Sequence, residues 1–264
     1  MTAAAPANAA PIVTHVVAKV PEVTLGFWIL KILATTLGET GGDAVSMSMD
    51  LGYLVGTAIF FALFVLAVIA QVRARTFRPA LYWATIIAST TVGTTLADYA
   101  DRSLGVGYAG GSALLAAALA VSFFAWHRTL GSLDIGGVAG PKSEAFYWLT
   151  IMFSQTLGTA LGDWTADDAG LGYLGSALVF GGLIALIALA AALTRISRTA
   201  LFWAAFVLTR PLGAVVGDFL DKPLDHGGLA LSRVGATGVL LAAITLLVWR
   251  LPQRPARRRF QWWL

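Results

Sequence analysis

The sequence contains no cysteine among its 264 residues, and only 12% of the residues are charged. Without cysteine, a disulfide framework, a thiolate metal site and a cysteine nucleophile are all excluded. A soluble domain usually carries about a quarter charged residues, so this chain lacks the polar surface that a water-soluble globule needs. A soluble enzyme, a disordered chain and a small secreted domain are therefore excluded as classes.

Sequence signals for enzymatic chemistry are also missing. The three histidines lie in separate segments, and no two of them have the spacing of a helical zinc site. No nucleophile elbow, phosphate-binding loop or dinucleotide fingerprint stands out. We therefore expect that the protein is not an enzyme, has no resident cofactor, does not use ATP within this chain and does not bind nucleic acid.

Apolar sequence is abundant instead, because 58% of the residues are hydrophobic and the mean hydropathy is +0.77. A bilayer core about 30 Å thick needs about 20 mostly apolar residues per helix. Eight such stretches predict an all-α polytopic membrane bundle of eight transmembrane helices. They lie near residues 24–43, 52–71, 80–98, 107–126, 145–163, 172–193, 200–218 and 228–249.

The basic residues predict the orientation of these spans. Thirteen of the 18 Lys and Arg residues fall on the side that carries both termini, whereas the opposite loops carry only Arg102 and Lys222. The positive-inside rule then places both termini on the cytoplasmic side of an inner (plasma) membrane. Residues 1–23 are predicted to be an N-terminal tail, and residues 250–264 a basic tail that can contact anionic lipid headgroups.

Internal repetition is the strongest signal in the sequence. The odd-numbered spans align without gaps as FWILKILATTLGETGGD, YWATIIASTTVGTTLAD, YWLTIMFSQTLGTALGD and FWAAFVLTRPLGAVVGD. In each copy a Gly follows the Trp by ten residues, an Asp follows it by fifteen, and another Gly follows the Asp by nine. Repeats of two helices all point the same way, so the bundle has pseudo-two-fold or pseudo-four-fold symmetry about the membrane normal. The predicted repeats are 24–79, 80–141, 142–199 and 200–249.

These motifs resemble those of a known family. The opening KVPEVTLGFWILKILATTLGET and the four W-x9-G-x4-D units are similar to a bacterial family of uncharacterised integral membrane proteins built from four tandem two-helix repeats. The resemblance covers residues 19–250. It implies a transporter-like protein of unknown function, and export of manganese or another divalent cation is the activity that it suggests.

One face of each odd-numbered span carries most of its polar atoms, because positions 7, 8, 11 and 15 after the Trp lie on one side of a helix. Polar groups are costly in hydrocarbon, so these four faces are expected to surround a common axis. Their oxygen atoms suit a hard divalent cation or protons, although the four Asp residues could instead cap helix ends. The predicted ion-binding residues are Glu39, Asp43, Asp98, Asp163, Asp218, Thr35, Thr36, Thr91, Gln155 and Thr156, with Glu39 and Asp43 as the metal pair.

Arg210 stands near mid-span and breaks the repeat pattern, as does Pro211, which is expected to kink the seventh span. Neutralising a carboxylate, either Asp218 or Glu39, is the predicted role of Arg210, with gating or anion binding as the alternative. Lys31 is expected to extend to the cytoplasmic edge of the membrane. The repeated Trp residues and the aromatic residues before them are expected to form a belt at the same boundary.

The predicted function is secondary transport or channel conduction of a small cation, such as the divalent metal manganese. Proton coupling is also expected, because a carboxylate at depth can change its charge near neutral pH. Two alternatives stay open: a non-transport membrane scaffold or assembly protein, and a membrane enzyme or lipid- or cofactor-binding protein. The expected partners are the lipid bilayer and the cation or proton, and the sequence is compatible with an oligomer.

Overall fold

Eight long helices form the part of the chain that a computed structural model describes, residues 18–257. Residues 1–17 of the predicted N-terminal tail, and residues 258–264 of the predicted basic tail, lie outside the described residues. The helices are α1 (Leu25–Asp43), α2 (Gly52–Arg73), α3 (Pro79–Asp98), α4 (Tyr108–Leu130), α5 (Pro141–Asp163), α6 (Gly172–Leu193), α7 (Arg198–Asp221) and α8 (Arg233–Arg250).

The helices agree with the eight predicted spans except at a few ends. Helix α5 begins earlier than predicted, at Pro141, because proline is favoured in the first turn of a helix. Helix α8 begins later, at Arg233, because the loop before it bonds back to α7: the amide of Leu229 donates to the carbonyl oxygen of Phe219 at 2.8 Å. Five helices, α2, α4, α6, α7 and α8, are long and apolar enough to cross a membrane by length and composition.

The odd-numbered helices form a closed ring at the centre of the bundle. Helix α1 packs on α3, α3 on α5, α5 on α7, and α7 packs back on α1. The even-numbered helices lie outside this ring, and each packs on the central helix of the next repeat: α2 on α3, α4 on α5, α6 on α7 and α8 on α1. The four repeats therefore interlock in a cycle, which gives the pseudo-four-fold arrangement. The odd-numbered helices are termed the inner helices below, and the even-numbered ones the outer helices.

The outer helices expose large apolar side chains over their length. Leu54 and Phe61 of α2, Leu114 of α4, Leu178 of α6 and Val239 of α8 are at least half exposed. A contiguous apolar surface of this extent is unfavourable in water and suits the hydrocarbon of a bilayer. The inner helices α1, α3 and α5 carry more polar residues, and they turn those residues inwards. The bundle therefore has the polarity of a membrane protein.

The repeated glycine ten residues after each Trp lets neighbouring inner helices touch. A Cβ added to Gly38 of α1 would lie 2.3 Å from Cγ2 of Thr90 on α3. The same contact, between this glycine and the residue seven after the Trp of the next repeat, recurs around the ring as Gly93 with Gln155, Gly158 with Arg210 and Gly213 with Thr35. Small residues at these positions allow the close approach that packs membrane helices together.

We expect Gly158→Ala to lower the free energy of unfolding by about 1–3 kcal/mol, the usual cost of overpacking. The added Cβ would lie 2.1 Å from Cγ and 2.4 Å from Cβ of Arg210, two atoms close to the backbone that have little room to move. Gly182→Ala in α6 is the matched control, because a Cβ there meets nothing within 4 Å. Thermal unfolding in detergent compares the variants, and a midpoint for Gly158→Ala as high as that of the control would contradict this packing.

The chain reverses its direction sharply after each inner helix. In the first three repeats a π-helical turn comes directly after the repeated Asp, at Ala44–Ser48, Tyr99–Ser103 and Trp164–Asp168. The glycine nine residues after each Asp then adopts a positive φ, between 65° and 81°. This backbone conformation is higher in free energy for a residue with a Cβ than for glycine. This backbone requirement accounts for the glycine that the repeats share at Gly52, Gly107, Gly172 and Gly227.

Three segments cover the end of the bundle at which the described chain begins and ends, termed the terminal end below. They are residues 18–24, 131–140 and 251–257. Lys19 anchors the first segment through an ion pair with the buried Glu144, 2.7 Å from Nζ to Oε1, and through hydrogen bonds to two carbonyl oxygens at the end of α2. Val20 joins the third segment by accepting a hydrogen bond from the amide of Ala256 at 2.8 Å. The predicted N-terminal tail is therefore packed from Ala18 onwards.

Candidate functional site

The inner helices bury one side chain each in five successive layers along the bundle. The residues lie one before the Trp and 3, 7, 11 and 15 after it, and all are at most 3% exposed. From the terminal end, the layers are Phe27, Tyr82, Tyr147 and Phe202; Lys31, Ile86, Ile151 and Phe206; Thr35, Thr90, Gln155 and Arg210; Glu39, Thr94, Thr159 and Ala214; and Asp43, Asp98, Asp163 and Asp218. The interior therefore changes from aromatic to acidic along its length.

The first layer and the Trp residues beside it form a closed ring of aromatic contacts, termed the aromatic layer. The aromatic residue of each repeat lies against the Trp of the next, with ring centroids 5.6 to 6.0 Å apart. The four pairs are Phe27–Trp83, Tyr82–Trp148, Tyr147–Trp203 and Phe202–Trp28. The predicted aromatic belt facing the membrane boundary is therefore wrong, because these side chains close the interior at the terminal end.

The predicted exposure of Lys31 is also wrong. Its side chain is fully buried, and its Nζ lies 4.2 Å from the centroid of the Phe206 ring on α7. A long basic side chain near a helix end can reach the membrane surface only when it stands on the outside of the bundle. Lys31 lies on the inward face of α1, four residues after Phe27 of the aromatic layer, and therefore turns into the interior.

Arg210 lies on the axis of the ring, because it contacts the other three inner helices. From α7, its Nη2 donates to Oε2 of Glu39 on α1 at 3.0 Å, to the hydroxyl of Thr94 on α3 at 2.5 Å and to the hydroxyl of Thr159 on α5. Of the two partners predicted for Arg210, the structure pairs it with Glu39. Helix α7 continues through Pro211 without interruption.

The carboxylates predicted from the repeat converge at the end of the interior opposite the aromatic layer, termed the acidic end. Each of three groups has one oxygen per residue within 4.8 Å of the others: Glu39, Asp43 and Asp98; Glu39, Asp163 and Asp218; and Asp43, Asp218 and Asp221. Glu39, Asp43, Asp98, Asp163 and Asp218 are termed the carboxylate cluster. The capping alternative is not supported, because none of Asp43, Asp98 and Asp163 makes a side-chain cap to the turn that follows it.

Two basic residues bridge the Asp side chains in pairs. Arg102 lies 2.9 Å from Oδ1 of Asp98 and 3.5 Å from Oδ2 of Asp163. Lys222 lies 2.6 Å from Oδ2 of Asp43 and 3.0 Å from Oδ1 of Asp218. Each cation thus joins the Asp of its own repeat to the Asp of the next one. Because only the second and fourth repeats supply such a residue, the acidic end has two-fold symmetry.

Both bridging residues stay positively charged at neutral pH. Burial alone would lower the pKa of Lys222, but the carboxylates of Asp218 and Asp43 outweigh burial and raise it above the ordinary value. The pKa of Arg102 is likewise raised, because Asp98 and Asp163 outweigh the effect of burial on its guanidinium. The acidic end is therefore covered by two fixed positive charges.

The predicted neutral ligands are buried, but the structure does not join them to the carboxylate cluster. Each of Thr36, Thr91 and Thr156 donates its hydroxyl to the carbonyl oxygen four residues earlier in its own helix. Thr35 donates to the carbonyl oxygen of Thr209 at 3.1 Å, and the Gln155 amide nitrogen lies 3.4 Å from Oγ of Ser89. These contacts are those of helix packing.

Six residues of the site were absent from the predicted set: Thr94, Thr159, Arg102, Lys222, Asp221 and Arg233. Thr94 and Thr159 lie on the predicted polar face, eleven residues after their Trp, and a rule that kept every hydroxyl of that face would have found them. Arg102 and Lys222 each follow a repeated Asp by four residues, the spacing at which two side chains meet on a helical turn. That spacing could have identified them in the sequence, because they are also the basic residues of loops that are otherwise acidic.

The interlocked ring, its apolar exterior and its charged interior define an all-α membrane protein built from four tandem two-helix repeats. The chain matches the family model described as Repeat of Unknown Function (DUF347) in four consecutive copies, at residues 26–77, 81–132, 146–197 and 201–254. Each copy covers one inner helix and the outer helix that follows it. The chain therefore belongs to this family, which confirms the resemblance to a four-repeat family of unknown function. No curated protein and no solved structure matches the chain.

Proposed function

We propose that the protein is a secondary transporter of a small cation in a bacterial inner membrane, with both termini in the cytoplasm. The observation that carries this proposal is the carboxylate cluster, to which all four repeats contribute and whose members are at most 2% exposed. Ionisable residues in membrane bundles are costly, and they commonly mark the path of an ion. Carboxylate oxygens are the preferred ligands of hard divalent cations such as manganese or magnesium.

The balance of charge favours a cation at this site. The five carboxylates of the cluster have three basic residues bonded to them directly, namely Arg102, Arg210 and Lys222. Arg233 stands 3.4 Å from Asp221 and 3.8 Å from Asp43, so its charge is shared with a sixth carboxylate. The negative excess that is left would be neutralised by a bound divalent cation or by protons, which is also the basis for proton coupling.

Closure at both ends of the interior supports a transporter that alternates between two open states. The aromatic layer blocks the path on the cytoplasmic side, and Arg102 and Lys222 cover the carboxylates on the other side. A cation arriving from outside must displace Lys222 from Asp43 and Asp218, and exit to the cytoplasm requires the aromatic layer to part. A scaffold would need none of these buried charges, because apolar packing is at least as stable as a buried ion pair.

Flux of manganese into proteoliposomes, followed by a quenched internal dye, tests the proposal. We expect Asp43→Asn and Glu39→Gln each to reduce the initial rate at least about tenfold, because each removes a charged ligand while keeping the shape of the side chain. Asp225→Asn is the matched control, since Asp225 is an exposed acid of the outer loop, and it should retain the wild-type rate. Undiminished flux in Asp43→Asn, or no flux of manganese, magnesium, sodium or potassium through the wild type, would refute cation transport.

A further inference from the structure

A second charged region lies between the aromatic layer and the carboxylate cluster, and the proposed cation site does not use all of it. Lys31 is fully buried there, yet its Nζ forms neither a hydrogen bond nor an ion pair with any residue between 18 and 257. Its neighbour is the face of the Phe206 ring, 4.2 Å away. An aromatic face can accommodate an ammonium group, and this is the contact that the structure shows for the Lys31 amine.

Arg210 has unused donors in the same region. Its three contacts all go to Nη2, while Nε and Nη1 have no hydrogen-bond partner in the described chain, although the side chain is fully buried. The hydrogen bond from Thr35 to the carbonyl oxygen of Thr209 places the turn of α1 that follows Lys31 beside the Arg210 turn of α7. Two buried basic side chains with unmet donors therefore lie in adjacent layers of the interior.

Only one of these two basic side chains has a carboxylate partner. Among residues 18–257, Glu39 is the acid that pairs with Arg210, and Lys31 has no acidic partner. Buried donors are almost always satisfied in proteins, so a set of unmet donors on basic side chains indicates a ligand that accepts hydrogen bonds, such as a small anion. The hydroxyl of Thr90, which also lacks a hydrogen-bond partner, is a further donor in the Arg210 layer.

We propose that Lys31 and Arg210 form a binding site for a small monovalent anionic group, either a free inorganic anion of the size of chloride or the carboxylate of a small organic molecule. The ligand accepts hydrogen bonds from the ammonium of Lys31 and from the free guanidinium nitrogens of Arg210. It occupies the middle of the interior, between the aromatic layer and Glu39. The site adjoins the carboxylate cluster through the Arg210–Glu39 pair, and it does not depend on cation transport.

Thermal unfolding of the full-length protein in detergent, at constant sodium concentration, tests this site. The anions compared are chloride, acetate and gluconate, of which gluconate is too bulky for an enclosed site. We expect chloride or acetate to raise the unfolding midpoint by a few degrees in a saturable way relative to gluconate, because a ligand that binds only the folded state stabilises it. A rise with chloride alone identifies an inorganic anion, and a larger rise with acetate identifies a carboxylate.

Lys31→Met should abolish this rise, because it keeps the length of the side chain and removes the charge. Lys142→Met, at an exposed lysine outside the interior, is the matched control and should keep the full rise. Asp43→Asn should also keep it, so that failure of the cation proposal and failure of the anion proposal give different results. Equal midpoints of the wild type in all three salts, or a full rise in Lys31→Met, would overturn the site.

Equilibrium dialysis of the wild-type protein against radioactive chloride and radioactive acetate provides a second measurement that needs no variant. We expect saturable binding of about one anion per chain, as a single enclosed site requires, with gluconate failing to compete. Absence of saturable binding of both anions would overturn the proposal even if Lys31→Met does not fold.

Discussion

Arg210→Met is expected to lower the free energy of unfolding by about 3–5 kcal/mol, the range observed when one partner of a buried ion pair is removed. The substitution leaves Glu39 as an unpaired carboxylate in the interior. It also removes the one nitrogen that hydrogen-bonds to α1, α3 and α5 at the same time. Unfolding in detergent measures the loss, and Arg75→Met, at an exposed arginine of the terminal end, is the control that should show no change.

The double variant Glu39→Gln/Arg210→Met separates the charge effect from the packing effect. When both charges are removed, no uncompensated carboxylate is left, so the double variant should be more stable than Arg210→Met alone. A double variant that loses the sum of the two single losses would show that Glu39 and Arg210 are not coupled, contrary to the ion pair in the structure.

Lys222→Met is expected to make the stability of the protein depend strongly on divalent cations. Without the ammonium group, Asp43 and Asp218 lose their common partner, at a cost of about 3–5 kcal/mol when no metal is present. A divalent cation no longer competes with Lys222 for these carboxylates, and at 100 times its dissociation constant it should restore about 2.7 kcal/mol. The variant should therefore gain more stability than the wild type when manganese is added.

Unfolding midpoints with manganese and with a chelator measure this difference. Lys142→Met removes an exposed lysine and should respond to manganese as the wild type does. If manganese raised the midpoints of Lys222→Met and the wild type by the same amount, Lys222 would not compete with a cation, and its role would be limited to holding the repeats together.

The sequence predicted the parts of this fold that local pattern determines. The spacing from Trp to Gly to Asp repeats in every inner helix, so the helices, the repeats and the inward polar face could all be predicted from spacing and hydropathy. Hydropathy cannot separate a side chain that faces lipid from one that faces a protein interior. The predictions for the aromatic belt and for Lys31 were wrong for this reason. Phe27 and Trp83 look like boundary aromatics in sequence, and only the closed ring shows that they pack on one another.

The pairing of charges was the least predictable feature, because it depends on which repeats become neighbours. Arg102 reaches Asp163 only because α3 packs on α5, and Lys222 reaches Asp43 only because α7 closes on α1. The partner of Lys19 is Glu144, 125 positions further along the chain, and no periodic pattern connects the two. Sequence spacing alone gave no reason to place Lys19 or Glu144 in a functional or structural cluster.

Manganese binding to the purified wild-type protein, measured by the loss of the electron paramagnetic resonance signal of the free ion, tests the central claim most directly. Convergence of the carboxylates on one site predicts saturable binding that disappears in Glu39→Gln/Asp43→Asn and persists in Asp225→Asn. Competition by magnesium and calcium in the same assay would rank the cations that the cluster accepts. No saturable binding of any of these ions, or binding to the double variant equal to that of the wild type, would contradict a cation site in the interior.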